Sequence, residues 1–316
     1  MTPKVSIIIP TYKRHHLLNK AVDSALAQSY DNLEIVVIDD NPPESTERNL
    51  TINAMKKYET NDSVIYCLNE KSCGGSLARN KGINEASGEY ITFLDDDDVY
   101  LPKKIETQIE FILQNDLEMS FTDLYLCDPD GRLIEHRSHP YVTDWSKDEL
   151  MRQHVLHHLC GTPTFMIKKE ALNRVGGFED VVIAQEFLLM WRMIENGTKI
   201  GYLPVSHVVA YCHDGEHISV GSNRLEGEKW LYELKKTKLS LLNAQERRYL
   251  EFRHCAVLAV SCRRTSKHKE ALKYTVKTVI TSPRYCAEEA LKILKHRLRT
   301  DRFEPQPVYN GDSENE

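Results

Sequence analysis

The stretch Gly88-Glu89-Tyr90-Ile91-Thr92-Phe93-Leu94-Asp95-Asp96-Asp97-Asp98-Val99-Tyr100-Leu101-Pro102 constrains this chain more than any other. Tyr90 to Leu94 is short, apolar, aromatic and β-branched, which reads as a buried strand. It stops at four consecutive aspartates. Leu101 to Leu113 follows with helical spacing, and Pro102 sits where a first helical turn tolerates proline. The carboxylates therefore stand where a strand hands over to a helix. In open α/β sheets that edge binds ligands. Adjacent carboxylates repel, and some take up protons unless a cation offsets them. A hard divalent cation with oxygen ligands suits such a cluster. Asp98 reads as the N-cap of the next helix. Capping occupies one carboxylate, so the other three point to a metal or a ligand.

The chain has 316 residues, enough for one large α/β domain with an appendage or for two domains. At 41% hydrophobic and 28% charged it has the composition of a soluble globular protein. No run approaches the ~20 apolar residues of a membrane span. The run Val5 to Ile9 is too short for a signal peptide. Eight cysteines without a Cys-x-x-Cys pair read as reduced thiols of a cytoplasmic protein, with neither a disulfide framework nor a zinc site. The net charge of −6 hides an asymmetry: residues 263–302 hold twelve Lys and Arg against four Asp and Glu, so +8 there leaves −14 for the rest. This pattern argues against a nucleic-acid binder with one broad basic face. The basic end suits a peripheral contact with an anionic membrane at its inner face, or simply a solvated helix face.

Taken in order, Val5-Ser6-Ile7-Ile8-Ile9, Leu33 to Ile38, Val64 to Leu68 and Tyr90 to Leu94 read as strands. Helices at 17–28, 45–58 and 76–86 separate them, which predicts a parallel sheet wound with helices. Beyond it the spacing predicts a strand over Met119 to Cys127 and a hairpin partner at Leu133 to Arg137. A helix follows at 150–159, a strand at 164–168 and helices at 169–175 and 185–196. Two short strands are expected at 200–203 and 208–212. From 226 on the pattern is helical, at 226–241, 244–262, 267–280 and 284–299, with Pro283 breaking the last pair. Residues 303–316 are polar and expected to be disordered.

Several residues offer chemistry. Asp39-Asp40 closes a strand, where a carboxylate accepts from a base N–H or a ribose hydroxyl; Asp-Asn-Pro equally favours a plain turn. Tyr12 offers a flat face for a base, and Lys13-Arg14 offers cations. Arg79-Asn80 follows Gly74-Gly75 at a helix start, where anions are favoured. Gln185-Glu186 opens an apolar helix. Burial there would raise a carboxylate toward the range of a general base. His213 and His217 could bind a metal or a diphosphate.

In this order the motifs resemble family 2 glycosyltransferases of the GT-A fold. They are Val5 to Arg14, Asp39-Asp40, Gly74-Gly75-x-x-x-Arg79-Asn80-x-Gly82-Ile83, Gly88 to Asp98, Gly176-Gly177-Phe178 and Gln185-Glu186. The likeness covers residues 4–220, and Ala78 to Pro102 is its most specific block. It implies a Rossmann-like mixed sheet with helices on both faces, while the helical segment after about 226 matches no family motif and reads as a C-terminal helical extension. The chain is thus expected to divide into a GT-A domain at 1–225 (nucleotide-binding half 1–100, acceptor half 101–225), an extension at 226–302 and a tail at 303–316. The likeness implies an inverting, metal-dependent hexosyl or glycosyl transfer from a nucleoside-diphosphate sugar, a UDP-sugar in the first place, with Mn²⁺ or Mg²⁺. The acceptor would be a saccharide or lipid-linked hydroxyl in cell-surface polysaccharide or glycolipid synthesis. By the same resemblance Pro10, Thr11, Tyr12, Arg14 and Asp40 hold the nucleotide, and Arg79 and Asp95 lie near the donor. Asp95-Asp96-Asp97 is the Asp-x-Asp motif, with Asp96 toward the ribose. By the resemblance Asp97 takes the metal and Glu186 is the base; His213 is a further candidate metal ligand on its imidazole chemistry alone. The family's usual Glu-Asp pair reads Gln185-Glu186 here. That departure leaves a catalytically silent nucleotide-sugar-binding subunit as the alternative. A nucleotidyltransferase is a weaker one, because Pro10-Thr11-Tyr12-Lys13-Arg14 is not a phosphate-cradling Gly-rich loop.

Overall fold

The structure, a computed structural model, describes residues 2–159, 161–212 and 222–298. His213, His217 and the tail at 303–316 lie outside the described residues.

The first hundred residues form β1 (Val5–Thr11), α1 (His15–Leu26), β2 (Leu33–Asp39), α2 (Thr46–Met55), β3 (Val64–Leu68), α3 (Gly75–Glu85) and β4 (Tyr90–Phe93). The strands pair in parallel in the order β3-β2-β1-β4. Helices cover both faces, so alternate residues of one strand enter different cores. Ile7 and Ile9 pack with Leu18, Val22, Ile105 and Ile109. Ile8 packs on the other face with Ala78, Ile83, Phe93 and Phe178. This two-sided burial explains why Ile7 to Ile9 and Ile35 to Ile38 are continuous apolar runs. Gly82 lets α3 lie directly on β1, for a Cβ there would stand 2.4 Å from Ile8 Cγ2.

Past the aspartates the sheet becomes mixed. It continues through β5 (Val99–Tyr100), α4 (Lys104–Gln114), β6 (Met119–Cys127), β7 (Leu133–Arg137), α5 (Lys147–His157), β8 (Met166–Lys168), α6 (Lys169–Val175), α7 (Gln185–Glu195) and β9 (Ile200–Tyr211). The order runs on from β4 through β8, β6 and β9 to β5, with β7 against β6. β8 is antiparallel to β4 and β6, while β6 and β9 run parallel.

Two local expectations change. The two short strands at 200–203 and 208–212 are one strand. Its register against β6 slips between Leu203 and Ser206, where Pro204 lacks the N–H a regular ladder needs. Asp98 does not cap a helix. The chain enters β5, which pairs with β9 (Tyr100 opposite Val208), and α4 begins only at Lys104 with Lys103 as its N-cap.

The remaining described chain is helical: α8 (Ser222–Lys236), α9 (Ala244–Arg264), α10 (His268–Thr281) and α11 (Pro283–Leu298). Asn243 and Glu246 cap the start of α9 reciprocally. Leu231, Leu242 and Leu250 join the main core, so this part packs on the α/β body. Gly227 of α8 lies against Ile183, whose Cδ1 a Cβ would meet at 2.1 Å. Leu225, Leu258, Cys262 and Ala271 form a smaller core of their own.

Candidate active site

Parallel pairing brings the carboxyl ends of β1, β2 and β4 to one edge, and with them Thr11, Asp39-Asp40 and the aspartate run. The two aspartates after β2 differ in their work. Asp39 is fully buried against Arg48 Nε at 3.3 Å and accepts from Tyr66 Oη at 2.6 Å, so it ties β2 to α2 and β3. Asp40 accepts from Asn69 Nδ2 (2.6 Å), the Cys73 N–H (2.9 Å), the Gly74 N–H (2.8 Å) and Ser72 Oγ (3.2 Å). Burial would lift its carboxyl, but these donors hold it below the usual range. Asp40 thereby fixes the loop that leads to Gly74, whose φ of +86° only glycine adopts readily.

The four aspartates are split by their surroundings. Asp96 is buried and accepts from Thr11 Oγ1 (2.7 Å), the Tyr12 N–H (3.4 Å) and Arg14 Nη1 (3.1 Å). Asp97 pairs with the same Arg14 atom at 2.7 Å. Asp95 pairs with Arg79. Asp98 turns inward and accepts from the Tyr211 N–H at 3.1 Å. Burial pushes Asp96 up to about 7 against the pull of Arg14, with Asp97 adding to the rise. Burial together with Asp95 and Asp97 lifts Asp98 well above the carboxylate range. Thus two arginines offset the cluster only in part. Asp95 and Asp97 keep some solvent access, with side chains 32% and 11% exposed. Among the described residues no three His, Cys, Asp or Glu converge as a ready metal cage. Asp95 and Asp97, the two that keep solvent access, would fit a Mn²⁺ or Mg²⁺ that completes its shell with substrate phosphate.

Arg79 joins this cluster to the other half. Its Nη1 donates to Gln185 Oε1 at 2.8 Å, at the start of α7. Its neighbour Asn80 staples the preceding loop, accepting from the Phe178 N–H at 2.7 Å and donating to the Phe178 carbonyl at 2.8 Å. Gly177 in that loop has φ +68°, and a Cβ on it would lie 2.4 Å from Asn80 Oδ1. The Arg79-Asn80 pair thus couples α3 to the residues that place Glu186.

Glu186 meets His158 Nε2 at 3.3 Å. The sequence reading expected burial to raise this carboxyl. Burial does push it up, but the hydrogen bond and charge of His158 outweigh burial and leave it below the usual range. His158 lies just past α5 with φ +56°. The fully buried His154 anchors it: Nε2 bonds the Phe187 carbonyl at 3.0 Å, and the Leu159 N–H donates to Nδ1 at 3.3 Å. Lys13, His158 and Ala184, three of the five described non-glycine residues at positive φ, flank Arg14 and Glu186. Such strain gathers where a site is pre-shaped. Sequence reasoning missed His154 and His158. Their signal was the cluster His154-Val155-Leu156-His157-His158 at a helix end.

The sequence matches the family described as Glycosyl transferase family 2 over residues 6–176. The chain belongs to this family. It is 28% identical to an uncharacterised glycosyltransferase, MJ1057, of Methanocaldococcus jannaschii over 62% of this chain and 67% of that protein. It is 29% identical to TuaG of Bacillus subtilis, named for teichuronic acid biosynthesis, over 55% of this chain and 65% of that protein. Against two further uncharacterised glycosyltransferases, from Rickettsia bellii and Haemophilus influenzae, it spans 18% and 52% of their length. The fold is shared with Staphylococcus aureus TarS 1–349 in complex with UDP-GlcNAc (TM-score 0.60, 17% identity, 88% of this chain and 81% of that one). It is also shared with the mannosyltransferase PcManGT of Pyrobaculum calidifontis in complex with GDP-Man and Mn²⁺ (TM-score 0.58, 16% identity, 95% and 82%). These likenesses agree with the GT-A architecture expected from the motifs.

Proposed function

We propose that this chain moves a sugar from a nucleoside-diphosphate sugar to an acceptor hydroxyl, with inversion, in the synthesis of a cell-surface polysaccharide or glycolipid. One observation carries the reading. A carboxylate–arginine cluster at the ends of the parallel strands is linked through Arg79 and Gln185 to a separate carboxylate held by His158. On this reading the cluster is the donor side. Thr11, Tyr12, Arg14, Arg79, Asp95 and Asp96 surround the nucleotide, and the arginines can turn from carboxylate to diphosphate oxygens. Asp97, with Asp95 beside it, would hold Mn²⁺ or Mg²⁺. Such a cation, when bound, stabilises the charge that develops on the departing diphosphate. Glu186 takes the acceptor proton. The contact with His158, which lowers its pKa, keeps it ionised and aimed while the hydroxyl attacks.

TarS with UDP-GlcNAc and PcManGT with GDP-Man support a nucleotide-sugar donor, and TuaG supports a polysaccharide setting. Of the two bases, the UDP-sugar remains our first choice. A cavity of about 300 Å³ is lined by Val181, Val182, Ile183, Glu226, Gly227 and Trp230, and on this reading it would belong to the acceptor side. Ile183 of its wall stands three residues before Glu186 in the chain. No described helix is long and apolar enough to cross a membrane. We place the reaction in the cytoplasm, with any membrane contact made from the surface.

The test is a panel of nucleotide sugars with the purified chain, read by thermal shift and by slow donor hydrolysis. A matching donor should raise the melting temperature, since ligand binding favours the folded state. Asp96 has its folded pKa raised. The stability it contributes is complete below about pH 4 and is lost as pH rises through about 7. A cation binds the deprotonated cluster, so Mn²⁺ should stabilise the chain more at pH 8 than at pH 5. Donor binding with no hydrolysis and no transfer would favour the silent subunit. No response to any nucleotide sugar would overturn the reading.

His158→Gln tests how the base is held. Without the His158 contact, the Glu186 backbone N–H and Arg79 are left to oppose burial, so the Glu186 carboxyl should rise. The acidic limb of the kcat/KM profile should move to higher pH, with donor KM unchanged. An unmoved limb would remove His158 from this role.

A further inference from the structure

Six of the thirteen exposed large apolar side chains among the described residues lie on α9, α10 and α11. Four share one face of α10: Leu272 (66% exposed), Val276 (49%), Val279 (47%) and Ile280 (72%). Their spacing of i, i+4, i+7 and i+8 is that of a helix stripe which normally meets a core. Here the core lies on the opposite side of the helix, where Ala271 and Thr278 are buried and Tyr274 packs beside Leu225, Leu258 and Cys262. The helix therefore has two apolar faces, and only one of them is used by the described fold. Among the described residues this second face stays exposed, and it is more apolar than a solvated surface needs to be.

Its surroundings indicate what it meets. Arg263, Arg264, Lys267, Lys269 and Lys273 are exposed within or next to this helix. The segment 263–302 carries +8 on a chain whose remainder carries −14. A second copy of the chain would bring the same positive charge against this face, and its acidic body would have to reach around to compensate. An anionic lipid surface offers opposite charge over the whole patch and an apolar layer beneath it. We infer that the Leu272–Ile280 face of α10 docks on an anionic lipid surface, with its apolar side chains entering the headgroup boundary and the flanking lysines and arginines at the phosphate level. Shallow insertion of an amphipathic helix needs both of these features. Each cation near such a surface adds about fivefold to partitioning, so the charge sets the affinity and the stripe sets the depth. The inference stands on the helix face alone and does not depend on the reading of the active site.

The experiment uses the full chain with phosphatidylcholine vesicles, with and without phosphatidylserine, in a sedimentation assay at low and high salt. Binding should require phosphatidylserine and weaken as salt rises. Val276→Glu with Ile280→Glu should lower it by more than about tenfold, because both changes replace buried apolar area with repelled charge. These residues are exposed, so circular dichroism and melting temperature should stay unchanged. Lys269→Glu with Lys273→Glu should lower it through charge alone and flatten the salt dependence. Sedimentation equilibrium without lipid runs alongside. The inference is overturned if the intact chain ignores phosphatidylserine vesicles at low salt, or if it binds them equally well with the apolar pair replaced. It is also overturned if the apolar pair instead abolishes a dimer that binds no lipid, which would make the face a contact between copies.

Discussion

Glu186→Gln is expected to lower glycosyl transfer by about 10²–10⁴-fold, the usual cost of losing a general base, with nucleotide-sugar affinity nearly unchanged. An acceptor hydroxyl is a poor nucleophile until its proton is taken. The other carboxylates of the site are already engaged with arginines, the Asp40 loop or the interior. Glu186 stands apart from them, beside His158 and at the start of an apolar helix. The amide of the variant keeps the shape and can still accept from His158, so the fold and the donor side should be spared. Glu186→Asp restores the residue type expected from the family pattern, but on a side chain one carbon shorter, and should retain part of the activity. The measurement is single-turnover transfer to a verified acceptor, beside donor titration. Near-normal turnover of Glu186→Gln would move the base elsewhere. Glu179 would come next in the chain, although it is already 3.3 Å from Arg192 Nε.

Asp97→Asn should separate metal binding from stability. Asp97 adds to the negative field that raises both Asp96 and Asp98. Removing its charge relieves that repulsion, so the melting temperature without metal should hold or rise. The same change takes away the carboxylate proposed to hold the cation. Nucleotide binding by calorimetry should then lose its dependence on Mn²⁺. Transfer should fall by about 10²–10³-fold, the scale of losing one contact to developing charge. Equal metal dependence in the variant would take Asp97 out of this role. Arg14 makes the readout sharper. It pairs with Asp97 and Asp96 through one nitrogen, and in the variant it keeps Asp96 as its partner.

Much of the α/β body was legible because its strands are buried on both faces. A two-sided strand is apolar at most positions, so Val5 to Ile9, Leu33 to Ile38 and Tyr90 to Leu94 stand out without any neighbour to interpret them, with Ser6, Glu34 and Thr92 as buried, hydrogen-bonded exceptions. The helices between them require parallel pairing, and parallel pairing alone places Thr11, Asp40 and the aspartate run at one edge. The repulsion among four adjacent carboxylates was likewise a property of the chain, and the raised Asp96 and Asp98 express it.

The division of labour within those motifs depended on contacts far apart in the chain. Asp98 looked like a helix cap because caps are local. It is drawn inward because β5 pairs with β9, and residue 211 supplies its donor. Asp40 looked free to meet a base, but its oxygens are filled by a loop about thirty residues on, at 69–74. Asn80 reads as part of a phosphate-facing pair, and it serves as the staple of the Phe178 loop. Glu186 was expected to be raised by burial, since burial can be guessed from an apolar helix. Its lowered pKa comes from His158, which is 28 residues away and reaches it only when α5 packs on α7. Residue type and periodicity thus determined the strands, the helices and which chemical groups meet at the sheet edge. Which partner each carboxylate takes, and so its charge, was decided by tertiary packing, because a carboxylate's protonation depends on donors and cations within a few ångströms that the chain order does not reveal.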